Sequence, residues 1–146
     1  MARAFSLEDK NLNTSSITTS RNRLYKDVDL TLAIKGNGDV YKKLDASAVK
    51  QSIRNLILTN HGDKPFRYNY GGNLRDLLFD LADDETEFDI ESTIISTVER
   101  FEPRAQIINV NAKSDPDNNS VAVTIVFNIV NTKEKVTFTT ILARLR

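Results

Sequence analysis

A chain of 146 residues accommodates one hydrophobic core and not two independent ones, and twenty Lys and Arg side chains balance twenty Asp and Glu. With no net field to gather phosphate backbones, anionic lipid or acidic substrates, generic nucleic-acid and membrane-surface binding are excluded. The sequence holds no cysteine, which removes disulfide staples and thiolate metal sites, and 40% hydrophobic with 27% charged residues places it among ordinary globular proteins.

Residues 1–23 are polar, rich in Asn, Ser and Thr, and lack a sustained apolar period, so they are expected to form a flexible or partner-ordered arm. The opening MARAFSLEDKNL has no apolar signal-peptide core, and no stretch reaches the roughly 18 apolar residues of a membrane span. A soluble chain that is not exported by itself is the expectation. From Tyr25 to Leu32 polar and apolar residues alternate, which predicts a strand with Val28, Leu30 and Leu32 on one face. Gly36-Asn37-Gly38-Asp39 makes a turn, and Val40-Tyr41 begins a short returning strand.

Asp45 is a helix cap by type, and Val49, Ile53, Leu56 and Ile57 form one helical stripe that should end near Asn60. The stretch from His61 to Gly72 mixes chain breakers with aromatics and predicts a loop pinned by ring packing. After Asn73, a second possible cap, Leu74, Leu77, Leu78 and Leu81 repeat at helical spacing. Thr86 and Asp89 have capping-box spacing for a third helix, whose stripe is Ile90, Ile94, Val98 and Phe101; Pro103 forbids its continuation and pushes Glu102 out of helical geometry.

Beyond the proline the period changes to two. Ile108, Val110 and Ala112 face one way before a turn at Asp115-Pro116-Asp117-Asn118-Asn119; Val121, Val123, Ile125, Phe127 and Ile129 line a long strand. Val136, Phe138, Thr140 and Leu142 line its partner, across a turn at Thr132-Lys133-Glu134. Apolar Val126 and Val130 on the other face of the long strand imply partial cover by a helix or a partner. Helices followed by strands give an α+β single domain over residues 24–146, three helices packed on a mainly antiparallel sheet, with residues 1–23 as an extended N-terminal arm.

The parts of most catalytic sites are missing. His61 is the single histidine, so nucleophile-and-base pairs and common zinc sites lack their components, and it reads as a surface loop residue. Gly36 and Gly38 lie between short strands without the helix a phosphate loop needs. Asp83, Asp84, Glu85 and Glu87 could supply the carboxylates of a glycoside hydrolase, yet they crowd a helix start, where the backbone dipole favours solvated negative charge. Lys64, Arg67, Tyr68 and Tyr70 are too few, beside Asp63, for a nucleic-acid patch; aromatic anchoring of the loop or of a protein partner fits better. No catalytic residue, metal ligand or cofactor is therefore assigned. Glu102-Pro103-Arg104 remains: proline stops the helix, and glutamate and arginine either close its end as an internal salt bridge or present a forked cation to a partner.

The order of these blocks resembles the sheath-initiator family of baseplate wedge proteins, found in contractile phage tails and related injection machines. The resemblance runs from Leu24-Tyr25-Lys26-Asp27-Val28-Asp29 through the helix Ala48 to Thr59, the loop Lys64-Pro65-Phe66 with Tyr70-Gly71, and Leu74-Arg75-Asp76-Leu77-Leu78-Phe79. Its most specific element is Glu102-Pro103-Arg104 after Phe101, at the family's helix-to-strand junction; His61-Gly62-Asp63 departs from the basic or polar residues usual there. The resemblance implies a structural, non-enzymatic subunit of the tail baseplate in the virion, assembled in the host cytoplasm. It further implies that Glu102, Pro103 and Arg104 bind the core helical bundle of the wedge, with Pro65, Phe66, Tyr70 and Gly71 forming a structural loop. Its partners would be other wedge subunits and the tail sheath protein, whose first ring it would template by strand addition to an open sheet edge, with no nucleic acid, membrane, small-molecule substrate or cofactor. The family's traditional lysozyme-like label makes peptidoglycan hydrolysis the alternative.

Overall fold

The structure is a computed structural model, and it describes residues 25–80, 83–130 and 132–144. The expected N-terminal arm lies outside them. Strands β1 (Lys26–Val28) and β2 (Lys42–Leu44) pair antiparallel as a small ribbon, followed by helices α1 (Ala46–Leu58), α2 (Leu74–Leu77) and α3 (Asp84–Phe101). Strands β3 (Ala105–Asp115), β4 (Ser120–Ile129) and β5 (Lys135–Ala143) close the chain as an antiparallel sheet in the order β3-β4-β5. The fold is α+β, as the change of period predicts, and among the described residues no helix is long and apolar enough to cross a membrane.

The core is the meeting of two periodicities. On β4 the residues Val121, Val123, Ile125, Phe127 and Ile129 are all fully buried, and the pleat sends them to one face. Helices α1 and α3 cover that face with Val49, Ile53 and Leu56 and with Ile90, Ile94 and Val98. Phe138 stands edge-on to Phe127 at 6.2 Å between centroids, a favourable quadrupolar arrangement.

Several local expectations are corrected by tertiary contacts. The β1 strand stops at Val28, and Leu30 and Leu32 are 58% and 63% exposed instead of facing the core. The Gln51 side chain of α1 is the reason: it accepts from Leu30 N–H at 3.3 Å and donates to the Val28 carbonyl at 2.8 Å, taking the place of a ladder partner. Asp29 then accepts from Thr31 N–H at 3.0 Å and turns the chain away. Asp45 has φ 45° and makes no side-chain cap; its carboxylate accepts from Tyr25 N–H at 3.4 Å, binding the ribbon to the start of α1. Asn73 likewise does not cap, and α2 is a single turn. Helix α3 begins three residues before the predicted capping box, because Asp83 accepts from Thr86 N–H at 2.9 Å.

The β3 strand carries a bulge between Ile107 and Asn109. Ile108 consequently turns outward and is half-exposed, while Val110 and Ala112 face inward as expected. Along β3 lies α3, and two of its carboxylates reach the strand: Ala112 N–H donates to Glu91 Oε1 at 2.8 Å and Ser114 N–H to Glu87 Oε1 at 2.6 Å. Glu87 is thus not the freely solvated helix-start charge that its sequence position predicts.

Truncating the most enclosed aromatic tests this account of the core. Phe127→Ala should lower unfolding free energy by about 3–5 kcal/mol, since the ring is fully buried in the core and meets Phe138 of β5; denaturant titration measures it.

Candidate partner-binding site at the helix-to-sheet junction

Glu102 ends α3 with φ −126° and ψ 72°, outside helical geometry as Pro103 demands, while its N–H still donates to the Val98 carbonyl at 2.8 Å. Its side chain folds inward, leaving the residue 3% exposed. An isolated carboxylate there would be costly. Arg104 compensates it with two parallel bonds, Nε to Oε1 at 2.5 Å and Nη2 to Oε2 at 2.7 Å, and Ser52 of α1 donates its hydroxyl to the same Oε2. The guanidinium also lies over the Tyr25 ring at 5.4 Å.

Electrostatics follow from this geometry. Burial pushes the Glu102 carboxyl up, but the donors Arg104 and Ser52 outweigh it and hold it below the usual glutamate range. The same bonds push the Arg104 guanidinium up against its own partial burial. Of the two readings left open by the sequence, an internal salt bridge and a displayed fork, the internal pair is present. It nevertheless keeps part of the cation at the surface, since the Arg104 side chain is 34% exposed beside exposed Pro103. Among the described residues Arg104 Nη1 carries no hydrogen bond.

The loop residues converge on this junction through one ring. Tyr70 packs on Phe101 at 5.1 Å, and Lys64 Nζ sits 3.8 Å from the Tyr70 centroid. Gly71 has φ 113°, and a Cβ added there would stand 2.2 Å from the Thr59 carbonyl oxygen, so no other residue fits this return past the end of α1. Gly72 N–H then donates to the Leu56 and Thr59 carbonyls at 3.2 and 3.1 Å, taking up acceptors left by the helix end. Phe66, next to Pro65, departs from the expected ring packing: it has φ 64° and projects fully into solvent. Tyr68 is also largely exposed, touching His61 at 6.4 Å between centroids.

Ser52 and Tyr25 are site residues that the sequence reading did not select. Ser52 had a signal: it falls at i+3 from Val49 and i−4 from Leu56, a polar residue on an apolar stripe. Tyr25 had none, because its place depends on the ribbon folding back.

The acidic cluster is not arranged for proton transfer. Asp83 caps α3, and the Thr86 N–H holds its carboxyl below the usual range, opposite to the shift a general acid needs. Glu87 is bonded to the β3 backbone. Among the described residues, no group of three or more His, Cys, Asp or Glu could hold a metal ion.

Comparison with known proteins decides the family. The baseplate wedge protein gp25 family matches residues 44–134, which include the loop and the whole junction. The chain belongs to this family. It is 30% identical over 115 residues to baseplate wedge protein gp25 of Enterobacteria phage T4, spanning 79% of this chain and 87% of that protein. The fold recurs in the baseplate of the anti-feeding prophage, at TM-score 0.59 and 22% identity over 84% of this chain and 87% of that one. It recurs also in the postcontracted baseplate of pyocin R2, at TM-score 0.53 and 14% identity over 82% and 98%. A crystal structure described as a tail lysozyme from Geobacter sulfurreducens shares it at TM-score 0.61 and 20% identity, over 67% of this chain and 89% of that one. This baseplate wedge protein is accordingly a structural component of a contractile tail.

Two substitutions probe the junction. Glu102→Gln should cost about 2–3 kcal/mol at neutral pH by weakening charge-assisted bonds. Because the native carboxyl is held low, its contribution is full above the ordinary glutamate range and fades as pH falls through the depressed value. The gap between wild type and variant in urea titrations should therefore narrow towards pH 3. Gly71→Ala should destabilise by more than the ~1 kcal/mol of a simple left-handed penalty, since its methyl meets backbone; a melting-temperature comparison with Gly38→Ala, which has open space, isolates that clash.

Proposed function

We propose that this wedge protein is a non-enzymatic adaptor, attached to the wedge's core helical bundle through Glu102-Pro103-Arg104, which templates the first ring of tail sheath by accepting strands on its sheet. The observation that carries attachment is the Glu102–Arg104 fork. Glu102 fixes the guanidinium in one orientation, and the exposed remainder, with Nη1 unclaimed, meets a partner carbonyl or carboxylate without further loss of side-chain freedom. Pro103 and Phe66 are both exposed and add apolar surface. In this reading Glu102 positions and Arg104 binds.

Templating is supported by an open three-stranded sheet, whose outer strand β5 leaves backbone groups that a further strand can pair. Residues 24–146 act as the wedge domain and residues 1–23 as a flexible or partner-ordered arm, with assembly in the host cytoplasm and other wedge subunits and sheath as partners. The lysozyme-like alternative has support from fold likeness alone, and the low-held Asp83 carboxyl argues against it.

The attachment is tested with purified wedge subunits. Arg104→Ala strands a buried carboxylate and should cost about 3 kcal/mol of stability, so it must be read beside Arg104→Lys, which keeps the charge but not the fork. Arg104→Lys should associate with the wedge core about tenfold more weakly at temperatures where it is folded; association and sheath assembly both at wild-type strength would remove the junction as the attachment point. Clean protein should not cleave peptidoglycan, and cleavage abolished by one substitution among Asp83, Asp84, Glu85 and Glu87 would make the chain a hydrolase.

A further inference from the structure

The two edges of the β3-β4-β5 sheet are in opposite states. On β3, three of the N–H groups that turn away from β4 are already taken: Ala105 donates to the Glu102 carbonyl at 3.1 Å, Ala112 to Glu91 and Ser114 to Glu87. Glu87 and Glu91, one helical turn apart on α3, set carboxylate oxygens where a neighbouring strand would set carbonyls. The bulge at Ile107/Asn109 further breaks that edge.

On β5 the ladder fixes which groups look outward. Ile129 N–H donates to the Glu134 carbonyl at 3.0 Å and Arg144 N–H to the Asn119 carbonyl at 2.9 Å, in the register that pairs Phe127 with Val136 and Val121 with Leu142. Antiparallel alternation then turns the backbone groups of Thr137, Thr139 and Ile141 away from β4. Among the described residues nothing bonds their N–H groups. A groove of ≈ 810 Å³ runs beside this edge, walled on its far side by α1. Its apolar lining includes Ile141, 70% exposed, and Leu58, 51% exposed; its cations are Lys50 and Arg54 of α1, which form no ion pair among the described residues, and Lys43, paired with Asp29 at 3.5 Å.

We infer that β5 is the acceptor edge of this protein and that its occupant is an extended segment of another protein, paired along Thr137 to Ile141, with acidic side chains over Lys50 and Arg54. The inference rests on the templating reading and names the seam at which that reading operates. A second copy of this chain is a poor occupant: β5 itself carries Lys135 and no acidic residue, so it brings no carboxylate to those cations. On β3, Glu87 and Glu91 close the competing edge, which makes strand addition one-sided.

The test measures binding of the purified sheath protein of the same tail to the full chain. Thr139→Pro removes an outward donor while leaving every β4–β5 backbone bond in place, losing only the hydroxyl contact with Thr124, and should weaken binding at least about tenfold. Ile141→Asp, which leaves the backbone unchanged, and the double variant Lys50→Glu/Arg54→Glu should each do likewise, and wild-type binding should fall as salt rises. Ile108→Lys, in the β3 bulge, should bind as wild type. Sheath protein that ignores the wild type overturns templating and this inference together. Equal binding by wild type, Thr139→Pro, Ile141→Asp and the charge-reversal variant overturns the β5 assignment alone. Concentration-dependent dimerisation of the free chain that Thr139→Pro abolishes would show that the edge serves a second copy instead.

Discussion

One buried carboxylate organises this protein. Glu102 lies at the end of a helix, out of water, and a charge so placed must be surrounded by donors. Each donor belongs to a different part of the chain: Ser52 to the middle of α1, Arg104 to the turn that launches β3. Satisfying it therefore fixes how the two long helices lie against each other and in which direction the sheet departs. The ribbon is drawn in as well, through the Tyr25 ring beneath the guanidinium. At the far end of α3 a second set of carboxylates, Glu87 and Glu91, repeats the principle on backbone donors of β3. Helix and strand are thus joined at both ends by acid groups, with apolar residues between them.

That arrangement suits a part that bears load between subunits more than one that turns over substrate. Charged groups near the junction are committed to holding elements together, and the displaced carboxyls Glu102 and Asp83 are held low, in the ionised form. Family membership agrees, since the relatives matched over most of their length include a baseplate wedge protein. The proposed attachment and the proposed strand acceptance lie on different features: one is a point fixed by a fork, the other a line along a strand.

The β4 alternation was legible in full, because a strand buried on one face needs nothing beyond its own neighbours to announce itself. So were the α3 stripe and its stop at Pro103, where local sterics decide. The salt bridge itself was legible as one of two options; what could not be read was that Ser52 would join it, although its place on an apolar stripe was a clue. Failures share a cause. Asp45 looks like a cap, yet Tyr25, twenty residues away, takes its carboxylate; β1 looks long, yet Gln51 replaces its ladder. Glu87 looks solvated until a strand 27 residues later arrives beside it. Short polar side chains advertise their chemistry locally but choose their partners only after the chain has folded.

The extra residue at the β3 bulge has a further meaning. Before it, Ala105 to Ile107 keep the alignment dictated by the Glu102–Arg104 clamp; after it, Asn109 to Asp115 keep the alignment dictated by the rest of β4 and by the α3 carboxylates. The bulge is the place where two separately imposed phases are reconciled, much as an expansion joint takes up the mismatch between spans anchored at different piers. A change in the angle of the clamp can consequently be taken up at the bulge without reversing the inward and outward rows of the sheet.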